Sequence, residues 1–426
     1  MKITYFVNTM FLIEGKDTRI LCDPWVTSEN KSRSGLYNYP KLKTKREELP
    51  GLKPDFIYIS HTHADHFDPD TLSVFNKNIP ILVSWYEHNF TEKAVKKLGF
   101  TDVRVTNKHK LLELNGNDAC WIEPSAKYSA VDSIAVFQVD GLNILNANDC
   151  GFDYVQCKSL KERFVNIDAA CIPSGMQGPY PAFYENLTLK EKSEESEKKK
   201  YKNFMTILDY LEVLKPEYFF ALTGGAVYGG KKALLMQYTG VGTATEAKQF
   251  LKEKKNKVKS ILLSEKCTFD FNTRKITGDF IDHSHENSKE YFKEISLIKS
   301  PFEEGGNFWV SKSERIDLSV LLYHARGKQL EWQKRLNIIS KSIFFIDVGQ
   351  DFIYRLCLDD NSVIKVIESK IEDLEYEIFR MPYSLLIGFL TRHYNYSNLK
   401  TQFVDFYRKP DIFNPNLHIL MSHLHL

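Results

Sequence analysis

Three of the chain's 12 histidines and one aspartate fall within six residues, His61-Thr62-His63-Ala64-Asp65-His66, directly after the apolar run Phe56-Ile57-Tyr58-Ile59. Imidazole nitrogens and carboxylate oxygens are the usual ligands of zinc, iron and manganese, and clustering them on one loop lets a single segment serve two ions. The apolar run has the pattern of a strand buried on both faces, so the loop leaves a packed core at a strand end. The plain alternative, a surface loop that happens to be rich in histidine, does not account for that placement. The stretch reads as a metal site.

The elements that must position this loop are mostly short strands. Residues 2–7, 11–14 and 19–22 form a meander that ends in the turn Asp23-Pro24-Trp25, and 28–50 read as loop. After the histidine loop, Asp70 is placed to cap a helix running to about Asn76. Strands and helices then alternate, with strands at 79–83, 102–105, 109–113, 119–123, 134–139, 142–147, 167–172 and 217–222, and a helix at 89–98. The Lys/Glu-rich stretch 189–202 reads as a solvated helix face. Beyond residue 296 a hairpin at 343–348 and 352–358 and a helix at 383–391 suggest a second unit. The expected domains are therefore 1–295 and a smaller α+β domain, 296–426.

The chain has 426 residues, 43% hydrophobic and 26% charged, with a formal net charge of +2. That balance suits a globular protein with no field directed at nucleic acid or an anionic membrane. No apolar run reaches membrane-spanning length. The seven cysteines (22, 120, 150, 157, 171, 267 and 357) form no CxxC pair and lie mostly in apolar runs. Free core thiols, with no signal-peptide profile at Met1, point to a reducing cytoplasm.

The order strand, histidine loop, several strands and helices, then Asp149 resembles the metallo-β-lactamase fold, an α/β sandwich of two sheets between helical layers (αββα). The chain also resembles a narrower group, the catalytic part of CMP-N-acetylneuraminate hydroxylase and its bacterial relatives. The matching stretches are Leu21-Cys22-Asp23-Pro24-Trp25, Asp55–Ser60 with the histidine loop, and Ile144-Leu145-Asn146 through Asp149-Cys150. Weaker echoes occur at 178–183, 217–225 and 387–392. The resemblance implies one or two transition-metal ions, iron or zinc, with manganese as a third choice. It assigns His61 and His63 to one ion, Asp65 and His66 to the other, and Asp149 to a bridge between them. Asp65 could alternatively orient a shared water or carry its proton.

The chain departs from that pattern twice. The fold normally contributes a further histidine before the bridging aspartate, and here Lys127 or Tyr128 takes the place. Both enter the candidate catalytic set with Asp65. A last histidine is also absent from Ala221-Leu222-Thr223-Gly224-Gly225, as in the hydroxylase group. The pairs His283/His285 and His423/His425 are candidates to fold back and complete the shell. Asp23 is either a capped turn residue or a group that holds a histidine in the right tautomer. Gly224, Gly225, Gly229, Gly230 and Lys231 are weak candidates for holding a phosphate, and Tyr180, Phe183 and Tyr184 for stacking on a base or sugar.

Three functions compete. The first is a hydroxylase-like metalloenzyme acting on an N-acylated sugar, sugar nucleotide or phosphorylated sugar. No paired Cys or Cys/His motif for an iron–sulfur cluster is present, so it expects a separate Rieske- or ferredoxin-type electron donor. The second is a hydrolase cleaving a phosphoester, lactone or amide with a metal-bound hydroxide. The third is a binding module without metal. Retention of five ligand positions favours an enzyme.

Overall fold

The computed structural model describes all residues except 28–31, 33, 87–88, 107–109, 127–131, 223–224, 285, 299–310, 312–313, 336, 339–342, 358 and 411–414. The chain divides into two compact units: 1–177, 196–227 and 240–292 form the first, and 178–195, 228–239 and 293–426 the second.

Two large sheets dominate the first unit. The eight-stranded sheet runs, from edge to edge, Lys275–Thr277, Thr268–Asp270, Lys2–Val7, Met10–Glu14, Arg19–Cys22, Phe56–Ile59, Ile81–Ser84 and Val103–Thr106. The seven-stranded sheet runs Lys259–Ile261, Tyr218–Leu222, Ala169–Pro173, Leu142–Asn146, Ser133–Val139, Ala119–Pro124 and Leu112–Glu113. Alternation along each strand sorts the side chains into three apolar layers. Phe56, Tyr58, Ile20 and Phe11 meet Ile122, Phe137, Ile144 and Phe220 between the sheets. Ile57 and Ile59 face outward against Leu49, Leu72, Phe75 and Val95. Leu145, Ala170 and Phe219 face outward on the other sheet, against Leu160, Phe204, Leu211 and Phe250 from helices Tyr154–Arg163, Leu189–Leu214 and Ala244–Glu253. This is the αββα sandwich of the metallo-β-lactamase fold, and it explains why the inner strands read as continuous apolar runs.

Several elements differ from expectation. The helix after the histidine loop is Pro69–Leu72, capped by Asp68 rather than Asp70, because the Asp68 carboxylate accepts from Thr71 N at 3.0 Å and Pro69 takes the first helical position. Strands Lys259–Ile261, Thr268–Asp270 and Lys275–Thr277 carry no alternation long enough to see in sequence; they lie at or next to the sheet edges and are built by register, with Ile3 opposite Phe269. The charged stretch from Leu189 belongs to a helix that runs 26 residues to Leu214.

The second unit holds a five-stranded sheet in the order Val363–Val366, Ile353–Leu356, Ile343–Asp347, Tyr376–Arg380, Asp405–Lys409, with helices including Ser319–Arg335 and Tyr383–Leu390. Beside the expected boundary at 295/296, the compact units also group 178–195 and 228–239 with the C-terminal residues. Physical ties hold them there. Tyr184 is buried and its hydroxyl donates to Glu377 Oε1 at 2.5 Å, while Lys232 pairs with Asp405 at 3.0 Å.

Phe269 joins the two sheets of the first unit, packing on Tyr218 and Phe220 at centroid distances of 5.0 and 5.6 Å. Phe269→Ala is expected to destabilise that unit by about 3–5 kcal/mol, the range for emptying a buried aromatic site. Urea unfolding followed by circular dichroism measures this, and an unchanged midpoint would remove Phe269 from the core.

Candidate metal centre

The strand Phe56–Ile59 runs parallel to Arg19–Cys22 on one side and to Ile81–Ser84 on the other, so their C-terminal ends open at one edge of the sheet. Asp23, Ser60, the histidine loop and Trp85 all leave from that edge. The hairpin turn at Asn8-Thr9 adds two more polar side chains.

A fully buried carboxylate, Asp23, forms the base of the site. Its oxygens accept from Ser60 N at 2.8 Å, Ser60 Oγ at 2.7 Å and Thr9 Oγ1 at 3.0 Å. His66 Nδ1 lies 2.9 Å from Asp23 Oδ2, so this nitrogen carries the proton and His66 Nε2 is left as a lone pair. Ser60 spends its only proton on Asp23, so it accepts from His61 Nδ1 at 3.0 Å, and His61 Nε2 is likewise a lone pair. One carboxylate thus sets both tautomers, directly for His66 and through Ser60 for His61. Of the two readings of Asp23, the geometry is that of a tautomer-holding group, reached through a left-handed φ of +39°.

The lone pairs converge with carboxylates. His66 Nε2 lies 3.3 Å from Asp149 Oδ2 and 3.5 Å from Asp65 Oδ2; it is buried and makes no hydrogen bond. Asn8 Nδ2 donates to Asp65 Oδ2 at 3.0 Å and aims that carboxylate. His61 Nε2 lies 2.7 Å from His63 Nδ1 and 3.5 Å from Asp132 Oδ1. Two groups, His61/His63/Asp132 and His61/His66/Asp149, bring ligand atoms within 4.8 Å of one another. The donor set fits one or two transition-metal ions, since every member is a nitrogen or a carboxylate oxygen aimed at shared space.

Electrostatics point the same way. Burial, with the neighbouring His66 and His63, pushes the His61 imidazole well below its usual range and keeps it neutral, as a ligand must be. Burial also acts to lower His66, but the Asp149 and Asp65 carboxylates outweigh it and hold the ring well above its usual range. Burial and the Asp149 charge raise Asp65, whereas His66 outweighs burial and holds Asp149 low. The two carboxylates beside His66 make this a place that favours positive charge.

The five expected ligands His61, His63, Asp65, His66 and Asp149 are brought together. Lys127 and Tyr128 lie outside the described residues, as do Gly224 and His285. Among the described residues Asp132 joins His61 and His63, and sequence reading missed it. Its place follows from the pairing of Ser133 with Pro124, which no local pattern in the sequence announces. Asn8, Thr9 and Ser60 carried no sequence signal for a site.

Of the remaining candidates, Gly225 follows the strand Tyr218–Leu222, which runs parallel through Ala169–Pro173 to the strand preceding Asp149; the adjacent Ala226 N and O are held by the Gln177 amide, both at 2.7 Å. Tyr180 belongs to the second unit, where its hydroxyl donates to Glu195 at 2.7 Å and the Arg408 guanidinium lies 3.8 Å from its ring centre. Phe183, Tyr184, Gly229, Gly230 and Lys231 are in that unit too, and Lys231 is exposed. His423 stacks on Trp332 and His425 contacts Arg392 there; His283 is in the first unit, with its carbonyl bonded by Tyr39. Among the described residues none of these three histidines joins a metal group. Trp85, unremarked in the sequence, is 47% exposed and follows the strand Ile81–Ser84, which pairs in parallel with Phe56–Ile59.

The beta-lactamase superfamily domain matches residues 2–185. A putative Rieske 2Fe-2S iron-sulfur protein of Mycolicibacterium smegmatis is 34% identical over 101 residues, 24% of this chain and 19% of that protein. The cytidine monophosphate-N-acetylneuraminic acid hydroxylase of Asterias rubens is 27% identical over 158 residues, 35% of this chain and 23% of that one. The match thus spans less than a quarter of either relative. A possible metal-dependent hydrolase from Veillonella parvula has a related structure, with a TM-score of 0.45 at 15% identity over 63% of this chain and 98% of that one.

Asp23→Asn keeps the shape of the base but removes an acceptor. It is expected to weaken metal binding about 10–100-fold, as losses of a ligand's outer partner do. Chelator competition reads this directly, and parental affinity in the variant would disprove the tautomer role.

Proposed function

We propose that this chain, whose residues 2–185 match the beta-lactamase superfamily domain, is a hydroxylase-like metalloenzyme acting on an N-acylated sugar or sugar nucleotide. The observation that carries the reading is the group His61/His63/Asp132. Two imidazoles and one carboxylate with further positions open are the ligand set of non-haem iron oxygenases, and nitrogen and oxygen donors without thiolate suit iron or manganese. The similarity to the sialic acid hydroxylase supports the substrate class.

When bound, the metal supplies oxygen activation: one atom of O2 enters a C–H bond and the other leaves as water, with two electrons and two protons from a donor. The chain's own residues hold that centre in place. Asp23 and Ser60 fix which imidazole nitrogens face the site, Asn8 orients Asp65, and Asp65 and Asp149 supply negative charge beside His66. The electron donor in this reading is a Rieske- or ferredoxin-type iron–sulfur protein. Trp85 offers an exposed aromatic face for a base or sugar, with Gly225, after a strand of the facing sheet, as a second candidate contact.

A second reading, two-metal hydrolysis of a phosphoester, lactone or amide, is favoured by the adjacency of two ligand groups sharing His61. Anaerobic purification with metal analysis, followed by turnover of CMP-N-acetylneuraminate, separates the two. Iron together with product that requires O2 and reductant is the expected result. Zinc with oxygen-independent turnover would overturn hydroxylation in favour of hydrolysis. In the same assay Trp85→Ala is expected to raise KM about tenfold, equivalent to one lost stacking contact, with kcat retained; an unchanged KM would take Trp85 out of the substrate site.

A further inference from the structure

Beneath the two ligand groups lies a set of hydrogen bonds closed to water. Tyr58, Ser60, Ser133 and Asn148 are each 0% exposed. Asn148 Nδ2 donates to Tyr58 Oη at 3.2 Å and to the Ser133 carbonyl at 2.9 Å. Ser133 Oγ donates to the Ser60 carbonyl at 2.8 Å, so it accepts from the Tyr58 hydroxyl, also at 2.8 Å. Donation therefore runs in one direction, Asn148 to Tyr58 to Ser133 to Ser60. Each of three members is the chain neighbour of a ligand: Ser60 of His61, Ser133 of Asp132 and Asn148 of Asp149.

This placement matters because the ligands come from different sheets. His61 follows a strand of the eight-stranded sheet, whereas Asp132 and Asp149 flank strands of the seven-stranded one. Metal ligands must be placed to within about 0.2 Å, and two sheets meeting only through apolar side chains do not define a distance that closely. Tyr58 crosses between them. Its ring packs edge-on to Phe137 at 5.4 Å, and its hydroxyl reaches the far sheet. Asn148 holds a left-handed φ of +46°, which brings its amide back under the site.

We propose that Tyr58, Ser133 and Asn148 are positioning residues that lock the loops of Asp132 and Asp149 to the histidine loop and so set the geometry of the metal centre. The inference rests on reading that edge as a metal site. It adds that the interlock between the sheets, not the loops alone, determines how tightly an ion is held.

Titration of the full chain with Co(II), read by its visible absorption and by chelator competition, tests this. Tyr58→Phe, Ser133→Ala and Asn148→Gly (glycine accepts the left-handed φ) are each expected to lower Co(II) affinity about 10–100-fold and to alter the absorption bands. Phe137→Leu, which disturbs packing on the same ring but leaves the hydrogen bonds, should keep the parental affinity and spectrum. Parental Co(II) binding in the three network variants would overturn the proposal while leaving the metal site standing. So would an equal loss in Phe137→Leu, which would reduce the effect to packing. Failure of the parent chain itself to bind Co(II) would overturn the metal reading with it. If Tyr58→Phe does not fold, as circular dichroism would show, Ser133→Ala and Asn148→Gly decide the matter alone.

Discussion

A carboxylate without access to water stands under the histidine loop, and the site is built on meeting its needs. Burying a charge costs several kcal/mol unless hydrogen bonds compensate. Asp23 receives three donors, from Ser60 N, Ser60 Oγ and Thr9 Oγ1, and faces a fourth group, His66 Nδ1. Satisfying it fixes the strand end at Ser60, the turn at Asn8-Thr9 and the tautomers of His61 and His66. The imidazole lone pairs then have one direction left, toward Asp65, Asp132, Asp149 and His63. The ligand geometry is a consequence of that buried charge.

The sandwich supplies what the carboxylate requires. Strands Arg19–Cys22, Phe56–Ile59 and Ile81–Ser84 run parallel and are buried on both faces, so their ends open together at a dry edge. Parallel strands Leu142–Asn146, Ala169–Pro173 and Tyr218–Leu222 do the same in the facing sheet. Residues at such ends are held by strands on either side, which is how a loop can present ligands rigidly. The second unit is organised around its own polar core, in which the Tyr184 hydroxyl lies between Glu377 and His418.

Much of this was legible in the sequence for a physical reason. An inner strand buried on both faces leaves a run of apolar residues, and a cluster of ligands at its end has no cheaper explanation than a metal. Phe56–Ile59 followed by His61–His66 is such a pair. Asp132 was not legible because its place depends on the pairing of Ser133 with Pro124, a long-range register that no local pattern records. Asn8 and Thr9 look like any hairpin turn until the strand of Asp23 is laid beside them. The three late strands and the grouping of 178–195 with the C-terminal residues were hidden for the same reason: short edge strands and inserted segments owe their position to partners far away in the chain. The histidine pair at 423/425 shows the converse, spacing that looks like ligation; His423 and His425 instead pack with Trp332 and Arg392.

The claim at the centre of this account is that the histidine loop and Asp132, Asp149 and Asp23 form one metal centre with carboxylate-rich coordination. A crystal structure of the metal-loaded protein, phased with anomalous scattering at the iron or manganese edge, tests it most directly. The account predicts density for an ion about 2.0–2.2 Å from His61, His63 and Asp132, with His66 and Asp149 around the same or a second ion. Loaded crystals with no anomalous peak at this edge, or with an ion whose shell omits Asp132, would contradict it.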